Sequence, residues 1–289
     1  EPLFGLLPLG ENAQSGLWEF LLEASGAAPP PGDEPGSWRM QADSGVVLVL
    51  LPGGRFTMGQ REDEGTPLVP ARPLHEVELA PFFLARHELS AAQAQRLGGF
   101  PSEKTAPADG RLPLALDWER AHALLNQHGL ELPTEAQWEY AARAGERREE
   151  LAGHANVLDR SRTEALRRER ARQDGQVAEF DDGFPALAPI GSLRPNAFGL
   201  HDVLGNVSEW CLDHFVGRGY STLAPRARDG LRATVVSAQL RSVRGGSYAD
   251  GPDVCQPAMR LHDPPSAMPH ATGVRPARSL APGGVSPAR

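Results

Sequence analysis

The chain is 289 residues long, room for one large domain or two small ones, and its 40% hydrophobic and 23% charged residues exclude a disordered chain, a collagen and a coiled coil. Its 37 acidic against 29 basic residues leave a net charge of -8, which argues against a nucleic-acid partner. The 31 glycines and 27 prolines, with only 6% aromatic residues, fit a loop-rich α+β fold rather than a helical bundle.

The first twenty residues carry Leu3, Phe4, Leu6, Leu7, Leu9, Leu17, Trp18 and Phe20. They are too apolar for a solvated tail and are expected to pack on the main body. Residues 24–36, with Pro29, Pro30 and Pro31 in a row, read as a linker. Strands are predicted over 46–51, 55–58, 75–79 and 82–84, the first two joined by a turn at Pro52, Gly53 and Gly54. Ser90 with Gln93 spells a capping box, Asp117 caps a helix over 118–128, and Thr134 with Gln137 opens a second capping box whose helix runs to about residue 144. Residues 159–174 are dense in Arg and Glu and predict a solvated helix or insertion, the interleaved glutamates opposing a nucleic-acid patch. Beyond Phe180 the Gly/Pro/Asn-rich text reads as loop. The chain thus divides into a lead-in and Pro-rich linker over 1–36, a main domain over 37–279 and a disordered tail over 280–289.

No apolar run reaches the roughly 18 residues that span a bilayer, so no membrane span is expected. Two cysteines, Cys211 and Cys255, are too few for a disulfide scaffold or a four-cysteine zinc site. No secretory leader is legible at the start, from which a reducing, cytoplasmic compartment and two unpaired thiols are the expectation.

Five segments carry more than structure: PGGRFTMG at 52–59, LPTEAQWEYAAR at 132–143, PNAFGLHDVLGNVSEW at 195–210, RGGSY at 244–248 and GVRPAR at 273–278. In this order, within residues 45–279, they resemble the formylglycine-generating enzyme family, also called the sulfatase-modifying factor family. The resemblance implies a C-type-lectin-like fold of the formylglycine-generating-enzyme subclass: small antiparallel sheets, few helices and much irregular backbone.

The oxidase members hold copper(I) on two cysteines, five positions apart, just after the Gly-Gly-Ser-Tyr motif. Here only the second, Cys255, is present, and Asp250 stands at the first position. A hard carboxylate is a poor substitute for a thiolate towards copper(I), so copper binding is not expected. If the chain were active, Cys255 and Ser247 would carry the chemistry. An iron-dependent branch of the superfamily uses histidines of a separate helical domain, and none of the nine histidines here pairs as His-x-x-x-His.

The resemblance also implies two structural calcium sites. One comprises Asn156, the Val157 carbonyl, Asp182 and the Phe184 carbonyl; the other comprises Asp202, the Gly205 and Val207 carbonyls, and Glu209. Mixed side-chain and carbonyl oxygens suit a hard cation that takes roughly 6–8 oxygen ligands. The segment after Gly-Gly-Ser-Tyr is polar and Pro-interrupted, and lectin-like relatives bind ligands through it. Its candidate ligand residues are Tyr248, Asp250, Asp253, Arg260, His262, Asp263, Met268 and His270. The lead-in resembles that found where such domains follow a bacterial kinase or other signalling domain. Two readings stand: a calcium-stabilised, non-catalytic module for a protein or peptide ligand, and a copper-dependent oxidase that converts a protein cysteine to formylglycine.

Overall fold

Both chain ends enter one sheet. The computed structural model describes residues 5–62, 64, 71–99, 109–144, 151–169, 171–172, 175–220, 224–232 and 239–280, and all but the first residue of the tail expected over 280–289 lies outside them. A five-stranded antiparallel sheet has the order β1 (Leu6–Glu11), β2 (Trp18–Leu22), β3 (Val47–Leu51), β6 (Phe82–Ala85), β11 (Ala277–Ser279). A hairpin of β4 (Gly54–Met58) and β5 (His75–Leu79) sits beside it in sequence. The remaining strands, β7 (Ser208–His214), β8 (Arg241–Arg244), β9 (Leu261–Asp263) and β10 (Thr272–Gly273), form a four-stranded sheet in the order β10-β7-β8-β9. Only the β10–β7 pair is parallel among the described ladders.

The central strands are apolar on both faces, and the period of two explains why. Leu48, Phe83 and Ala85 point to a core shared with α1 (Ala91–Arg96), α2 (Trp118–Gln127) and Trp210. Their neighbours Val49, Leu51, Phe82 and Leu84 point to a second core, shared with the β4–β5 hairpin and with Trp138 of α3 (Glu135–Arg143). A sheet covered on both sides is written as a continuous apolar run such as VLVLL.

The three legible helix starts form as their caps dictate. Ser90 and Gln93 make the reciprocal capping box of α1, Thr134 and Gln137 that of α3, and Asp117 accepts from the Arg120 N–H at the start of α2. α3 ends on Ala144 in the left-handed region, φ 41°. The Arg/Glu-rich stretch forms α4 (Arg160–Glu169), which turns only Thr163 and Leu166 inward.

Two expectations need correction. Residues 24–36 do not form a loose linker: Ala27 bridges Ser44, Pro31 bridges Trp38, and the Gly36 carbonyl accepts from Asn12 and Arg86. Nor is the chain beyond Phe180 all loop, since β7 to β11 lie there. These strands escape a hydropathy reading because they bury charges, among them Glu209, Asp213 and Arg244, all with exposure of 0%.

The segment before residue 37 is locked by charge as well as by strand pairing. Glu19 on β2 and Arg86 after β6 form an ion pair with both side chains 1% exposed. Arg86 also donates to the Gly36 carbonyl and lies 3.4 Å from His201 Nε2. Removing one member of such a pair strands its partner's charge in the interior. Glu19→Gln should therefore lower unfolding stability by about 3–5 kcal/mol. Urea denaturation measures this, and a loss below about 1 kcal/mol would contradict the assignment.

Candidate functional site

β8 delivers the chain into a tight turn where Gly-Gly-Ser-Tyr begins. Gly246 has φ 69°, and a Cβ there would meet Cys255 Sγ at 2.6 Å, so both conformation and space require glycine. Asp250, at the first-cysteine position, is not free to bind a metal on its inward oxygen. Its Oδ2 accepts from the Ser247 N–H at 2.9 Å and from the Ser247 hydroxyl at 2.6 Å. Cys255 lies in the turn between β8 and β9, 1% exposed, among Ala155, Val157 and Ala178. Its thiol is 3.8 Å from the Ser247 and Asp250 carbonyls. Burial, and then the charges of Asp250 and Asp253, hold the thiol well above its ordinary pKa. A protonated, enclosed thiol beside a hydrogen-bonded carboxylate does not fit copper(I), which asks for two soft thiolates. Cys211 is on β7, buried in the other core, and both cysteines are free.

Part of the expected ligand surface is internal. Arg260 is buried and makes a two-pronged contact with Glu135, Nε to Oε1 at 2.7 Å and Nη2 to Oε2 at 2.6 Å. Its guanidinium packs over Tyr220 at 4.5 Å. Arg260 therefore belongs to the core, where the two bonds to the Glu135 carboxylate offset the cost of leaving water. Asp250 is half-buried and engaged as described. The rest are accessible in varying degree: Asp253, His262, Met268 and His270 are exposed, while Tyr248 and Asp263 are partly so. His262 packs on Phe215 with ring centres 4.3 Å apart, and the Arg162 guanidinium of α4 lies over Tyr248 at 5.2 Å. α4 thus reaches the Gly-Gly-Ser-Tyr turn, a contact between distant segments that the sequence did not predict.

The two oxygen-rich loops lie against one another. Gly205, at φ 79°, faces the Asn156 carbonyl so closely that any Cβ would collide with it. The Asn206 N–H donates to that same carbonyl at 2.7 Å, and the Asn156 amide donates to Asn206 Oδ1 at 3.1 Å. Two side-chain oxygens expected to bind calcium, Asn156 Oδ1 and Asp202 Oδ1, are buried without a hydrogen-bond partner. An orphaned buried oxygen is costly unless a donor or a cation meets it. The Asp182 carboxylate accepts from the Val157 and Phe184 N–H groups, and burial raises its pKa to about 6. Glu209 fits less well: both its oxygens accept from Arg275, and one also accepts from the Trp138 indole at 2.8 Å.

Glu88 was not singled out in the sequence, yet it closes this second loop. It accepts from the Asn206 amide at 2.6 Å and from the Val207 N–H at 3.1 Å. Glu209 alone of the three buried carboxylates is hydrogen-bonded to Arg275, while Glu88 and Asp202 feel its charge. Burial, and then the charges of Asp202 and Glu209, push Glu88 well above the carboxylate range, and burial takes Asp202 to about 7. The site is short of positive charge. A lone Glu in HELS gives no sign of this role; only its place after β6, opposite residues 202–209, reveals it.

The family model for the sulfatase-modifying factor enzyme 1-like domain matches residues 38–280. A formylglycine-generating enzyme of Streptomyces coelicolor is 31% identical over 78% of this chain and 83% of its own length. A mouse protein named inactive C-alpha-formylglycine-generating enzyme 2 is 26% identical over 72% of this chain and 76% of its own. The serine/threonine-protein kinase pkn1 of Chlamydia pneumoniae is 27% identical over 81% of this chain, which spans only 38% of that protein. Among solved structures, PvdO from Pseudomonas aeruginosa superposes with a TM-score of 0.65 at 24% identity, covering 86% of this chain and all of PvdO. The C-type-lectin-like fold of this subclass is therefore the fold of the chain.

The enclosure of Cys255 has a direct chemical readout. In the folded chain at pH 8, iodoacetamide should label Cys255 on the order of a hundredfold more slowly than a free thiol, because the thiolate is disfavoured and access is closed. Labelling should reach the ordinary rate in denaturant. Mass spectrometry of the Cys255 peptide follows both, and native-state labelling at the free-thiol rate would refute the geometry.

Proposed function

The chain belongs to the sulfatase-modifying factor enzyme 1-like family, and on that premise we propose that it is a non-catalytic, calcium-stabilised binding domain rather than an oxidase. One observation carries this reading: Asp250 occupies the first-cysteine position and spends its carboxylate on Ser247. A single thiol, Cys255, is left where two soft ligands are needed. The existence of a relative named as inactive supports the reading, since the fold outlives the chemistry in at least that member. The ligand is a protein or peptide, met by Tyr248, Asp253, His262, Asp263, Met268 and His270. The negative charge of Asp253 and Asp263 favours a partner that is cationic or rich in hydrogen-bond donors. Similarity to a kinase longer than this chain supports a place in a larger signalling protein.

Calcium, in this reading, is held by Asn156, Asp182 and the Val157 and Phe184 carbonyls in one loop. In the other it is held by Asp202 with the Gly205 and Val207 carbonyls, Glu209 being engaged elsewhere. The ion supplies positive charge to orphaned buried oxygens and ties irregular backbone together. At a hundred times its Kd it stabilises the fold by about 2.7 kcal/mol. Chelation should lower the melting temperature and Asn156→Ala should shrink that shift. Identical melting curves in calcium and in chelator would remove calcium from the account.

The oxidase reading keeps one specific support, the 31% identity to the Streptomyces enzyme. A single assay separates the two. With copper(I), oxygen and a cysteine peptide, the chain should form no formylglycine above a Cys255→Ala control, while Asp250→Cys should raise copper(I) affinity. Turnover above that control would establish the oxidase instead.

A further inference from the structure

A cavity of about 340 Å3 opens between the end of β1 and the loop 31–38. The family model begins at residue 38, so of the lining residues only Trp38 falls inside it. The volume is that of a small-ligand site, which runs roughly from 300 to 1,000 Å3.

The floor is prebuilt. Glu19 and Asn12, which line it, are 1% and 4% exposed. Asn12 Nδ2 donates to Glu19 Oε1 at 3.1 Å and to the Gly36 carbonyl at 2.6 Å, and the Trp38 indole donates to Glu19 Oε2 at 2.5 Å. The Asn12 side-chain Oδ1 accepts from the Gln14 and Ser15 N–H groups. Every rotamer of this floor is held by a bond already made, so a ligand need not order it.

Leu9, Pro31, Pro35 and Trp38 give the cavity an apolar lining. No Lys, Arg or His lines the cavity, while Glu11, Asp33 and Glu34 stand exposed around it. Asp33 meets Arg39 at 2.7 Å, but the two side chains are 91% and 59% exposed, and such a pair holds little. Glu11 and Glu34 have no ion pair among the described residues. An anion is repelled here and a purely apolar ligand leaves the carboxylates unused. A cation on an apolar stem matches both, its stem against Leu9, Pro35 and the indole and its charge at the carboxylates.

We propose that this cavity binds a guanidinium or ammonium group carried on an apolar stem, the chemistry of an arginine or lysine side chain. The site stands apart from the surface after Gly-Gly-Ser-Tyr and does not depend on how that surface is read.

Calorimetric titration of the full chain tests it with three probes: agmatine, the peptide acetyl-Gly-Arg-Gly-amide, and the same peptide with citrulline, a neutral near-isostere, in place of arginine. The arginine peptide and agmatine should bind saturably at one site, and the citrulline peptide at least about tenfold more weakly. A peptide tighter than agmatine identifies a protein side chain as the ligand; agmatine as tight or tighter identifies a free amine. Glu11→Gln and Glu34→Gln are exposed substitutions that leave the urea transition in place, and each should weaken binding by about fivefold. Equal affinity for the citrulline peptide, no saturable binding of either cation, or affinity unmoved in the double variant would each overturn the proposal.

Discussion

Buried guanidinium–carboxylate pairing is the interaction on which the rest of this structure depends. Glu139 on α3 accepts from Arg143 at 2.9 Å, from Arg244 on β8 at 2.5 Å and from the Gly59 N–H at 2.9 Å. Glu135, one turn earlier, holds Arg260 and lies 3.6 Å from Arg244. The Arg232 and Arg260 guanidiniums both pack on the ring of Tyr220, 4.7 and 4.5 Å from its centre. With short strands and long irregular connections, this fold has few ladders to satisfy its buried polar groups. Charged side chains of fixed geometry take over that task, Arg in particular, because its planar fork meets a carboxylate with two bonds at once.

That network explains why the legible motifs sit together. The Arg-Phe-Thr-Met-Gly segment runs along β4 and ends at Gly59, α3 contributes Glu135, Glu139 and Arg143, the Gly-Gly-Ser-Tyr segment begins at Arg244, and the Gly-Val-Arg segment contributes Arg275, which pairs with Glu209 of β7. Four of the five motifs supply a charge to a buried pair and the first supplies the Gly59 backbone, and a charge without its partner is not stable there. The five motifs are, in large part, the text of this interior, and the turn from Ser247 to Cys255 lies outside its ion pairs.

The Asp250 carboxylate shows how a side chain can hold the turn after Gly-Gly-Ser-Tyr. A thiolate at that position would need a metal or a counter-charge. The carboxylate instead closes a local turn through two hydrogen bonds from Ser247. Asn156 Oδ1 and Asp202 Oδ1, by contrast, are buried without a hydrogen-bond partner.

Local chemistry was legible from the sequence alone. The caps at Ser90, Asp117 and Thr134, and the two-faced apolar runs of β3 and β6, follow from rules that act over a few residues, and the ordered motifs were enough to give the fold. So was the loss of the first copper cysteine, which needs only a position in a motif. What tertiary structure decided was which charges go inside. Arg260 reads as surface in sequence and lies buried on Glu135; Glu88 reads as nothing and closes the second oxygen loop; the strand of Glu209 and Asp213 reads as loop because it buries acids. Burial of a charge is settled by a partner more than a hundred residues away, as Glu135 is from Arg260, and no local pattern records that distance.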